Sequence, residues 1–350
     1  MYYAKTKKGE LIFSLKWPKQ VAGDEKFFCV TCGAPVQLKT STTGKKFFAH
    51  RSQKFAHGET PEHQAGKNFF LGWGQQQEIP VLPEISLAAD ARRGDLYLPH
   101  EEKVLEIQCS PMSQGELKQR MASYQQHNIQ VQWILGQRYL RRQRLGNSRV
   151  FLQYQRQLGF YLLRWVWGEL FLYYQIHEVR GKLRYQRKKI APTCPFLQLF
   201  TPEKLVVPPS PFRKISPNLI QQQELYRQQR LALKDRRYLQ EQGLLYTQGL
   251  SFATLPQHLK YLTVVNPPYL VGSGTIFHWQ LLQLVGGKTF TWEKLFQLWQ
   301  PYFIKNQWCQ GMPLITPGAL WQSYCRHTLP LLKQLKLCQY DEETITFFKI

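Results

Sequence analysis

Two carboxylates near the middle of the chain are spaced so that they could hold one divalent cation. Asp95 lies in the alternating run GDLYL and Glu106 in the run KVLEIQ, and both runs are typical of β-strands. Because the connection PHEE is short and contains a proline, we predict a hairpin that brings the two side chains together. Mg²⁺ and Mn²⁺ prefer oxygen ligands, usually one or two carboxylates with water and substrate phosphate. The competing interpretation is a turn aspartate and an exposed strand glutamate.

The elements after this hairpin must hold its strands in place. Ser113 and Glu116 form the S-x-x-E pattern of a capping box, which predicts the start of a helix. Leu117 and Tyr124 recur at helical spacing on one face, and the run VQWIL at 131–135 predicts the next strand. Strand, strand, helix, strand around a carboxylate pair is typical of the restriction-endonuclease-like nucleases. The predicted fold class is therefore an α/β restriction-endonuclease-like core.

That class of nuclease carries the pattern Asp, a short gap and then Glu-x-Lys, and here Gln108 stands in the place of the lysine. The lysine stabilises negative charge that develops on the phosphate. Glutamine carries no charge, but it can orient a water molecule by hydrogen bonding, which is the role we predict for Gln108. Arg120 lies one helical turn before Tyr124 and could supply the positive charge. Alternatively, Arg120 packs over Tyr124.

Several runs together resemble the competence protein CoiA family, from bacteria that take up DNA by natural transformation. They lie within residues 1–190 and comprise FFCVTCGAPVQL, FFAH, EIQCSPMSQ, an R-x-x-x-Y element at Arg120 and Tyr124, VQWILG, and GFYLL with IHEVRGKLRYQ. The resemblance implies Glu-x-Gln at Glu106 and Gln108. It also implies an acidic residue on the first core strand, at the position of Glu84. A solvent-facing strand residue is the competing interpretation of Glu84.

The carboxylates predict a Mg²⁺- or Mn²⁺-dependent DNA endonuclease or DNA-processing protein, and the resemblance implies that it acts on incoming DNA during natural transformation and recombination. In that reading Asp95 and Glu106 bind the metal, and Glu84 supports them or holds a second ion. The alternative is a non-catalytic DNA-binding adaptor that delivers single strands to the recombination machinery. The missing lysine and a large C-terminal region favour the adaptor. Expected partners are single-stranded, branched or duplex DNA and recombination proteins.

A second group of residues predicts a structural zinc ion near the N-terminus. Cys29 and Cys32 are two residues apart and precede a glycine that can form the tight turn of a zinc knuckle. His50 and His57 complete a plausible Cys₂His₂ set, although their spacing is looser than that of common zinc fingers. His63 is an alternative fourth ligand. The competing interpretation is a small β unit with free thiols and no metal.

The charge of the chain favours a polyanionic partner. Forty-six Lys and Arg residues against 23 Asp and Glu give a net charge of +23, and such cations release the counterions condensed on nucleic-acid phosphates. Single arginines could contact the DNA backbone; the candidates are Arg92, Arg93 and Arg120, with Arg141, Arg142 and Arg144 in the basic run RYLRRQRLGNSR. Solvated loops and helix faces are the competing interpretation.

The organisation of the chain follows from its composition shifts. The predicted parts are a small β-rich zinc-finger-like unit at 1–58, the nuclease core at 59–148, a basic β-meander at 149–192, a Pro-rich linker at 193–217, and a mainly α-helical C-terminal domain at 218–350. The C-terminal part is expected to open with one long helix over 218–243. The run VGSGT lacks the Gly-Lys-Ser/Thr of a phosphate-binding loop, which argues against a P-loop nucleotidase.

Cysteine usage and hydropathy predict a cytoplasmic protein. Seven scattered cysteines do not form an even disulfide framework. The first ten residues, MYYAKTKKGE, contain no long apolar run of the kind found in a signal peptide. No apolar stretch reaches the length of a membrane span. We therefore expect reduced thiols and a protein that acts inside the cell.

Overall fold

The computed structural model describes most of the chain, namely residues 3–14, 26–29, 33–40, 44, 46–50, 60–86, 93–140, 145–180, 182–204, 217–262, 267–268, 274–305 and 312–349. The chain divides into two compact units. The first unit comprises residues 1–138, 163–171 and 189–202, and the second comprises 139–162, 172–188 and 203–350. The carboxylates predicted from the sequence lie in the first unit.

The first unit begins with a small antiparallel sheet. Its strands are β1 (Tyr3–Thr6), β2 (Leu11–Phe13), β3 (Phe27–Phe28), β4 (Pro35–Thr40) and β5 (Lys46–His50), in the spatial order β2-β1-β3-β4-β5. Ala4, Phe27, Val36 and Phe48 form its buried core together with Cys29. These apolar side chains, two of them phenylalanines, thus cover one face of this sheet.

Helix α1 (Pro61–Gln76) starts the part of the unit that carries the carboxylates. Thr60 caps the helix, since its hydroxyl accepts a hydrogen bond from the backbone N–H of His63 at 3.2 Å. Pro61 occupies the first helical turn, where its missing N–H costs nothing. A Cβ on Gly66 would lie 3.1 Å from a methyl of Ile107, so this glycine lets the helix approach the sheet closely.

Three strands follow, β6 (Leu82–Ser86), β7 (Arg93–Leu98) and β8 (Lys103–Gln108), and each is antiparallel to the next. The predicted hairpin between the Asp95 and Glu106 strands is confirmed: Leu96 pairs with Leu105. Its connection is a short 3₁₀ turn over Pro99–Glu101.

Helix α2 (Gln114–Gln126) and strand β9 (Gln130–Leu135) complete this part. The predicted capping box is confirmed, with Ser113 and Glu116 satisfying each other's backbone N–H groups. Because β9 runs parallel to β8, the carboxyl ends of the two strands meet at one edge of the sheet. The observed order from α1 to β9 is helix, three strands, helix, strand.

Four more strands extend the same sheet: β10 (Gln153–Gln155), β11 (Gly159–Val166), β12 (Glu169–Val179) and β13 (Lys182–Ile190). The strand order is β13-β12-β11-β9-β8-β7-β6, and β10 pairs with β11. Strand β11 is parallel to β9, with Leu163 opposite Ile134. The basic strands predicted as a meander thus continue the sheet that carries the carboxylates.

Residues at the start of the predicted Pro-rich linker are packed in the first unit. Phe196 is fully buried, and its ring lies 5.4 Å from that of Trp73 in an edge-on contact. The indole N–H of Trp73 donates to the carbonyl of Cys194 at 3.2 Å, and Gln77 donates to the same carbonyl. Residues 205–216 of that linker lie outside the described residues.

The second unit contains most of the helices. Its described helices are α3 (Pro217–Ala232), α4 (Arg236–Tyr246), α5 (Gln257–Leu262), α6 (Thr275–Val285), α7 (Trp292–Lys305), α8 (Pro317–His327) and α9 (Leu329–Gln334), with strands β14 (Thr289–Thr291), β15 (Cys338–Tyr340) and β16 (Thr344–Phe347) in a small sheet. Aromatic rings fill its interior; Trp299, for example, lies 5.3 Å from Trp321. None of the helices in the described ranges is both long and apolar enough to cross a membrane.

The prediction of one long helix over 218–243 is wrong. The chain forms two helices, because Lys234 adopts a left-handed conformation with φ of 53° that ends α3. The backbone N–H of Asp235 still bonds to the carbonyl of Arg230, and its carboxylate pairs with the Arg230 guanidinium. This local contact stabilises the break, which sequence periodicity did not reveal.

Candidate functional site

Three carboxylates lie on three neighbouring strands in one row across the sheet. Pro83 pairs with Leu96 and Ile85 with Gly94, which sets Glu84 opposite Asp95. On the other side of β7 the last backbone pair of the ladder is Leu96 with Leu105, so the next positions along the two strands are those of Asp95 and Glu106. The register of two strand pairs therefore brings together the three acids that the sequence singled out.

Asp95 is fixed by two hydrogen bonds to one carboxylate oxygen. Its Oδ2 accepts from Nε2 of His63 at 2.9 Å and from the backbone N–H of Ile107 at 2.8 Å. His63 comes from the first turn of α1, and Ile107 follows Glu106 on β8. The carboxylate thus joins the helix to the open end of the hairpin.

Glu106 is the most deeply buried of the three acids, with 1% of the residue exposed. Its Oε1 accepts a short hydrogen bond from the hydroxyl of Tyr124, and its Oε2 accepts from Nη1 of Arg120 at 3.2 Å. Tyr124 and Arg120 are one turn apart on α2, so the capped helix presents both groups to the same carboxyl. Arg120 was predicted to add positive charge to the site, and the structure places it on Glu106.

The two central carboxyl groups have pKa values that are displaced in opposite directions. Burial raises the pKa of Glu106 to about 8, and the charge of Asp95 adds to this effect against the opposing influence of Arg120. Burial also acts to raise the pKa of Asp95, but the hydrogen bond and charge of His63 and the charge of Lys67 bring it below its ordinary value. Of the two groups, Glu106 is therefore the weaker acid and the one that favours holding a proton.

Glu84 forms an ion pair with Lys67 of α1. Nζ of Lys67 donates to its Oε1 at 2.8 Å. The backbone of Glu84 has φ of 54°, an uncommon conformation for a residue other than glycine, and such residues cluster at functional sites. Its other oxygen, Oε2, is buried and has no hydrogen-bond partner among the described residues. An orphaned, buried carboxylate oxygen of this kind is suited to binding a cation.

Gln108 lies at the end of β8, with its side-chain N–H₂ donating to the carbonyl of Ser110. The next residue, Cys109, has a thiol whose pKa is raised to about 12 by burial, with the charges of Glu62 and Asp95 adding to the effect. Burial therefore keeps this thiol protonated in the protein without a bound ion. The hydrogen-bonding groups at this strand end, the Gln108 amide and the Ser110 carbonyl, bond through nitrogen and oxygen atoms.

Helix α1 contributes more to the site than its sequence predicted. His63 and Lys67 are one turn apart and reach Asp95 and Glu84, respectively. His63 was considered as a zinc ligand, and Lys67 was not singled out at all. The carboxylate of Glu62 accepts a hydrogen bond from the backbone N–H of Gln137, which ties the start of the helix to the end of β9. The i, i+4 spacing of His63 and Lys67 is the signal that could have found them.

The donor set fits a hard divalent cation. In the described part of the chain, no three His, Cys, Asp or Glu side chains converge as a metal-binding group. Asp95 and Glu106 supply two carboxylates, which is the number that Mg²⁺ commonly takes from a protein when phosphate and water complete its shell. A cation between them would allow both to be ionised, whereas the protein alone holds a proton there.

The other predicted ligands and contacts lie partly outside the described residues. Of the four predicted zinc ligands, Cys29 is buried and directly follows β3, and His50 is the last residue of β5. Cys32 and His57 lie outside the described residues. Of the predicted DNA-binding arginines, Arg120 is accounted for above, and Arg93 begins β7. The remaining four fall outside the described residues: Arg92, Arg141, Arg142 and Arg144.

Comparison with known proteins matches residues 59–203 to the family model "Competence protein CoiA, nuclease-like domain". The chain is also 27% identical over 123 residues to competence protein CoiA of Bacillus subtilis (strain 168). That alignment covers 33% of this chain and 33% of the relative, so the match spans about a third of the relative's length. No solved structure matches.

Proposed function

We propose that this chain, whose residues 59–203 match the family model of the CoiA nuclease-like domain, is a divalent-metal-dependent DNA endonuclease. It would act on incoming DNA during natural transformation and recombination. The observation that carries the proposal is the contact of two carboxyl groups on neighbouring strands, the buried Glu106 and the part-buried Asp95, whose pKa values are displaced in opposite directions. Acid pairs of this kind are typical of sites built to hold a charge.

The order of elements supports a restriction-endonuclease-like core. Helix α1, the three antiparallel strands β6 to β8, helix α2 and the parallel strand β9 follow one another along the chain. The predicted carboxylates lie on the three antiparallel strands, and the capped helix supports the third one through Arg120. A mixed sheet of this kind presents its acids at the open end of a hairpin, where a phosphate can approach.

In the proposed site Asp95 and Glu106 would hold Mg²⁺ or Mn²⁺, and Glu84, whose Oε2 is unsatisfied, would support them or hold a second ion. The ion, when bound, polarises the scissile phosphate and makes a bound water more acidic. His63 and the Ile107 N–H hold Asp95 in its ionised form and fixed orientation. Arg120 favours the ionised form of Glu106 once its proton is lost.

In this proposal Lys67 of α1 provides the positive charge that the lysine of a Glu-x-Lys motif would otherwise supply. Lys67 lies 2.8 Å from Glu84 and is close enough to Asp95 to lower its pKa. It can therefore stabilise negative charge that develops on the phosphate oxygens. Gln108 keeps the role of orienting the attacking water, through its amide oxygen, which the bond to Ser110 does not use.

A cleavage assay with Mg²⁺ and with Mn²⁺ on single-stranded, duplex and branched DNA tests this proposal. We expect metal-dependent cutting by the wild type and its loss in Glu106→Gln. This substitution keeps the size of the buried side chain and removes only its ability to ionise, which burial already opposes. The matched control is Glu101→Gln, a partly exposed glutamate in the turn of the same hairpin.

Equal cutting by Glu106→Gln and wild type would refute the role of this carboxylate. Retained DNA binding without any cutting, in every metal and on every substrate, would instead support the adaptor. That second candidate rests on Gln108 in the lysine position and on the net charge of +23. The adaptor would bind single strands in a salt-sensitive way and deliver them to recombination proteins.

For the N-terminal unit we propose a structural zinc ion bound by Cys29, Cys32, His50 and His57. Support comes from the turn after Cys29, where the Gly33 N–H donates to the Cys29 carbonyl at 3.0 Å and Gly33 has φ of 68°. A turn of this kind brings neighbouring thiolates onto one metal. Metal analysis of purified protein should find zinc in the wild type and a loss in Cys29→Ser. Zinc retained in that variant, or no zinc in a folded wild type, would reject the site.

A further inference from the structure

The tip of the β11–β12 hairpin carries the most exposed large apolar side chain of the described residues. Trp167 is 79% exposed, well above the next value, 71% for Leu233. An indole ring held out into water gains nothing from burial. Exposed aromatic residues on loops are characteristic of binding surfaces.

The backbone at this tip makes tryptophan an unfavourable choice for stability alone. Trp167 has φ of 51° and Gly168 has φ of 83°, which are the two left-handed positions of a tight two-residue turn. Such turns favour Asn, Asp or Gly at the first of these positions, because a large side chain is strained there. The structure thus holds a strained residue whose ring has little contact with the protein. Residues of this kind are more readily explained by binding than by folding.

The register of the sheet places this tip at the edge where the carboxylates lie. Gln108 pairs with Leu135 on β9, and Leu135 pairs with Arg164 on β11, all three strands being parallel. Trp167 follows Arg164 by three residues, so it lies about 10 Å further along and about 10 Å across the sheet from Gln108. This separation corresponds to a few nucleotides of an extended strand.

Positive groups accompany the ring at this edge. Arg138, three residues after Leu135, is exposed in the turn that follows β9. Arg164 donates to the carbonyl of Gln137 at 2.6 Å, which ties that turn to β11. Lys189 pairs with Glu169, the first residue after the turn, and keeps more than half of its side chain exposed. An aromatic ring beside exposed cations is the combination that binds unpaired nucleotides.

We propose that Trp167 stacks on an unpaired base of the DNA while Arg138 contacts a neighbouring phosphate. This inference rests on the proposed endonuclease and names its substrate class: DNA with a single-stranded segment next to the bond that is cut. A base has a π-face whatever its identity, so the contact selects for unpaired structure and not for sequence. In a blunt duplex the bases are stacked within the helix, and the ring gains no comparable partner.

The test measures binding without cleavage, in buffer to which neither Mg²⁺ nor Mn²⁺ is added. A single-stranded oligonucleotide containing 2-aminopurine and a blunt duplex are titrated with wild type, Trp167→Gly and Trp167→Phe. We expect Trp167→Gly to raise the Kd for the single strand by between about fivefold and a hundredfold, the range found for loss of one stacked base. Trp167→Phe should retain most of the affinity, and duplex binding should change by less than about twofold. Stacking also quenches 2-aminopurine fluorescence, and this signal should disappear in Trp167→Gly.

A matched readout separates binding from folding. Glycine relieves the left-handed strain at position 167, so the melting temperature of Trp167→Gly should equal or exceed that of the wild type. The control is Tyr246→Ala, which removes another exposed aromatic ring, 59% exposed on α4, and should leave the single-strand Kd unchanged.

Equal single-strand affinity of wild type and Trp167→Gly overturns the inference and leaves the endonuclease proposal intact. An equal loss for single strand and duplex also overturns it, because the ring would then not select for unpaired bases. A wild type that binds no DNA overturns both proposals.

Discussion

A single proton distinguishes the two central carboxyl groups. Asp95 is ionised because His63, Lys67 and a backbone N–H surround it, whereas Glu106 is neutral because it is buried beside that negative charge. Two carboxyl groups on adjacent strands, with similar pKa values in water, thus acquire different pKa values because their environments differ. This asymmetry controls how the site would respond to metal and to pH.

Metal binding should be coupled to release of this proton. The pKa of Glu106 is raised to about 8, so below that pH a cation must displace a proton, and above it the carboxylate is already free. The apparent affinity for Mn²⁺ should therefore rise about tenfold per pH unit from pH 6 to 8 and then level off. Calorimetry in buffers of different ionisation enthalpy, at pH 6.5, 7.5 and 8.5, measures both the affinity for Mn²⁺ and the number of protons released on binding. In Glu106→Gln the proton release should vanish. Binding by the wild type that does not depend on pH would contradict the assignment.

Lys67 provides a second test at the scale of one residue. Its ammonium is placed to stabilise charge on the phosphate, so Lys67→Met should lower kcat by about a hundredfold or more. The KM for DNA should change little, because one cation among many contributes a small part of backbone binding. The control is Lys118→Met, an exposed lysine on α2. A large rise in KM with unchanged kcat would mean that Lys67 binds DNA without taking part in the chemistry.

At the scale of elements, the sequence predicted the hairpin, the capped helix and the following strand because each has a local signal. Alternation defines β7 and β8, S-x-x-E defines the start of α2, and an apolar run defines β9. Helix α1 has a start signal in Thr60 and Pro61, but no local signal assigns its polar face to the site. His63 and Lys67 are polar residues on an amphipathic helix, and such residues normally face solvent. Only the tertiary packing of α1 against the sheet shows that they face inward.

The capping box of α2 affects the site through the residues that this helix carries. Ser113→Ala removes the hydroxyl that accepts the Glu116 N–H at 3.1 Å, which should lower the free energy of unfolding by about 1 kcal/mol. Urea denaturation followed by circular dichroism measures the change, with Gln114→Ala, at the next and exposed position, as the control. Because the same helix positions Arg120 and Tyr124, we also expect a modest fall in Mn²⁺ affinity. A stability loss below about 0.2 kcal/mol would mean that the cap is dispensable here.

At the scale of the whole molecule, charge is the property that the sequence defines most directly. The excess of Lys and Arg is spread over the chain, and several of the basic residues predicted to contact DNA lie outside the described residues. Composition predicts that a polyanion binds, whereas it does not indicate where the backbone of that polyanion runs. The zinc set illustrates the same limit, since spacing alone selected four ligands from distant positions along the chain.

Salt should therefore weaken DNA binding strongly. For about five contacts with phosphates of a single strand, the affinity should fall about a hundredfold between 50 and 200 mM salt. Fluorescence anisotropy at four salt concentrations gives the slope directly. Arg138→Gln should reduce the slope by roughly one contact and leave the effect of Trp167 unchanged. A loss of affinity smaller than about threefold over this range would show that charge contributes little to binding.

The hydrogen bond from Ile107 to Asp95 has a consequence for how the site can be observed. Here a side chain, and not a neighbouring main-chain carbonyl, accepts a backbone N–H at the open end of the hairpin. If a cation draws electron density from that carboxylate, the hydrogen bond that it accepts from the Ile107 N–H becomes weaker. Its NMR chemical shift and its solvent exchange rate would then change on metal loading. One backbone amide would thereby serve as a native spectroscopic probe of occupancy, in a protein without any label near the site.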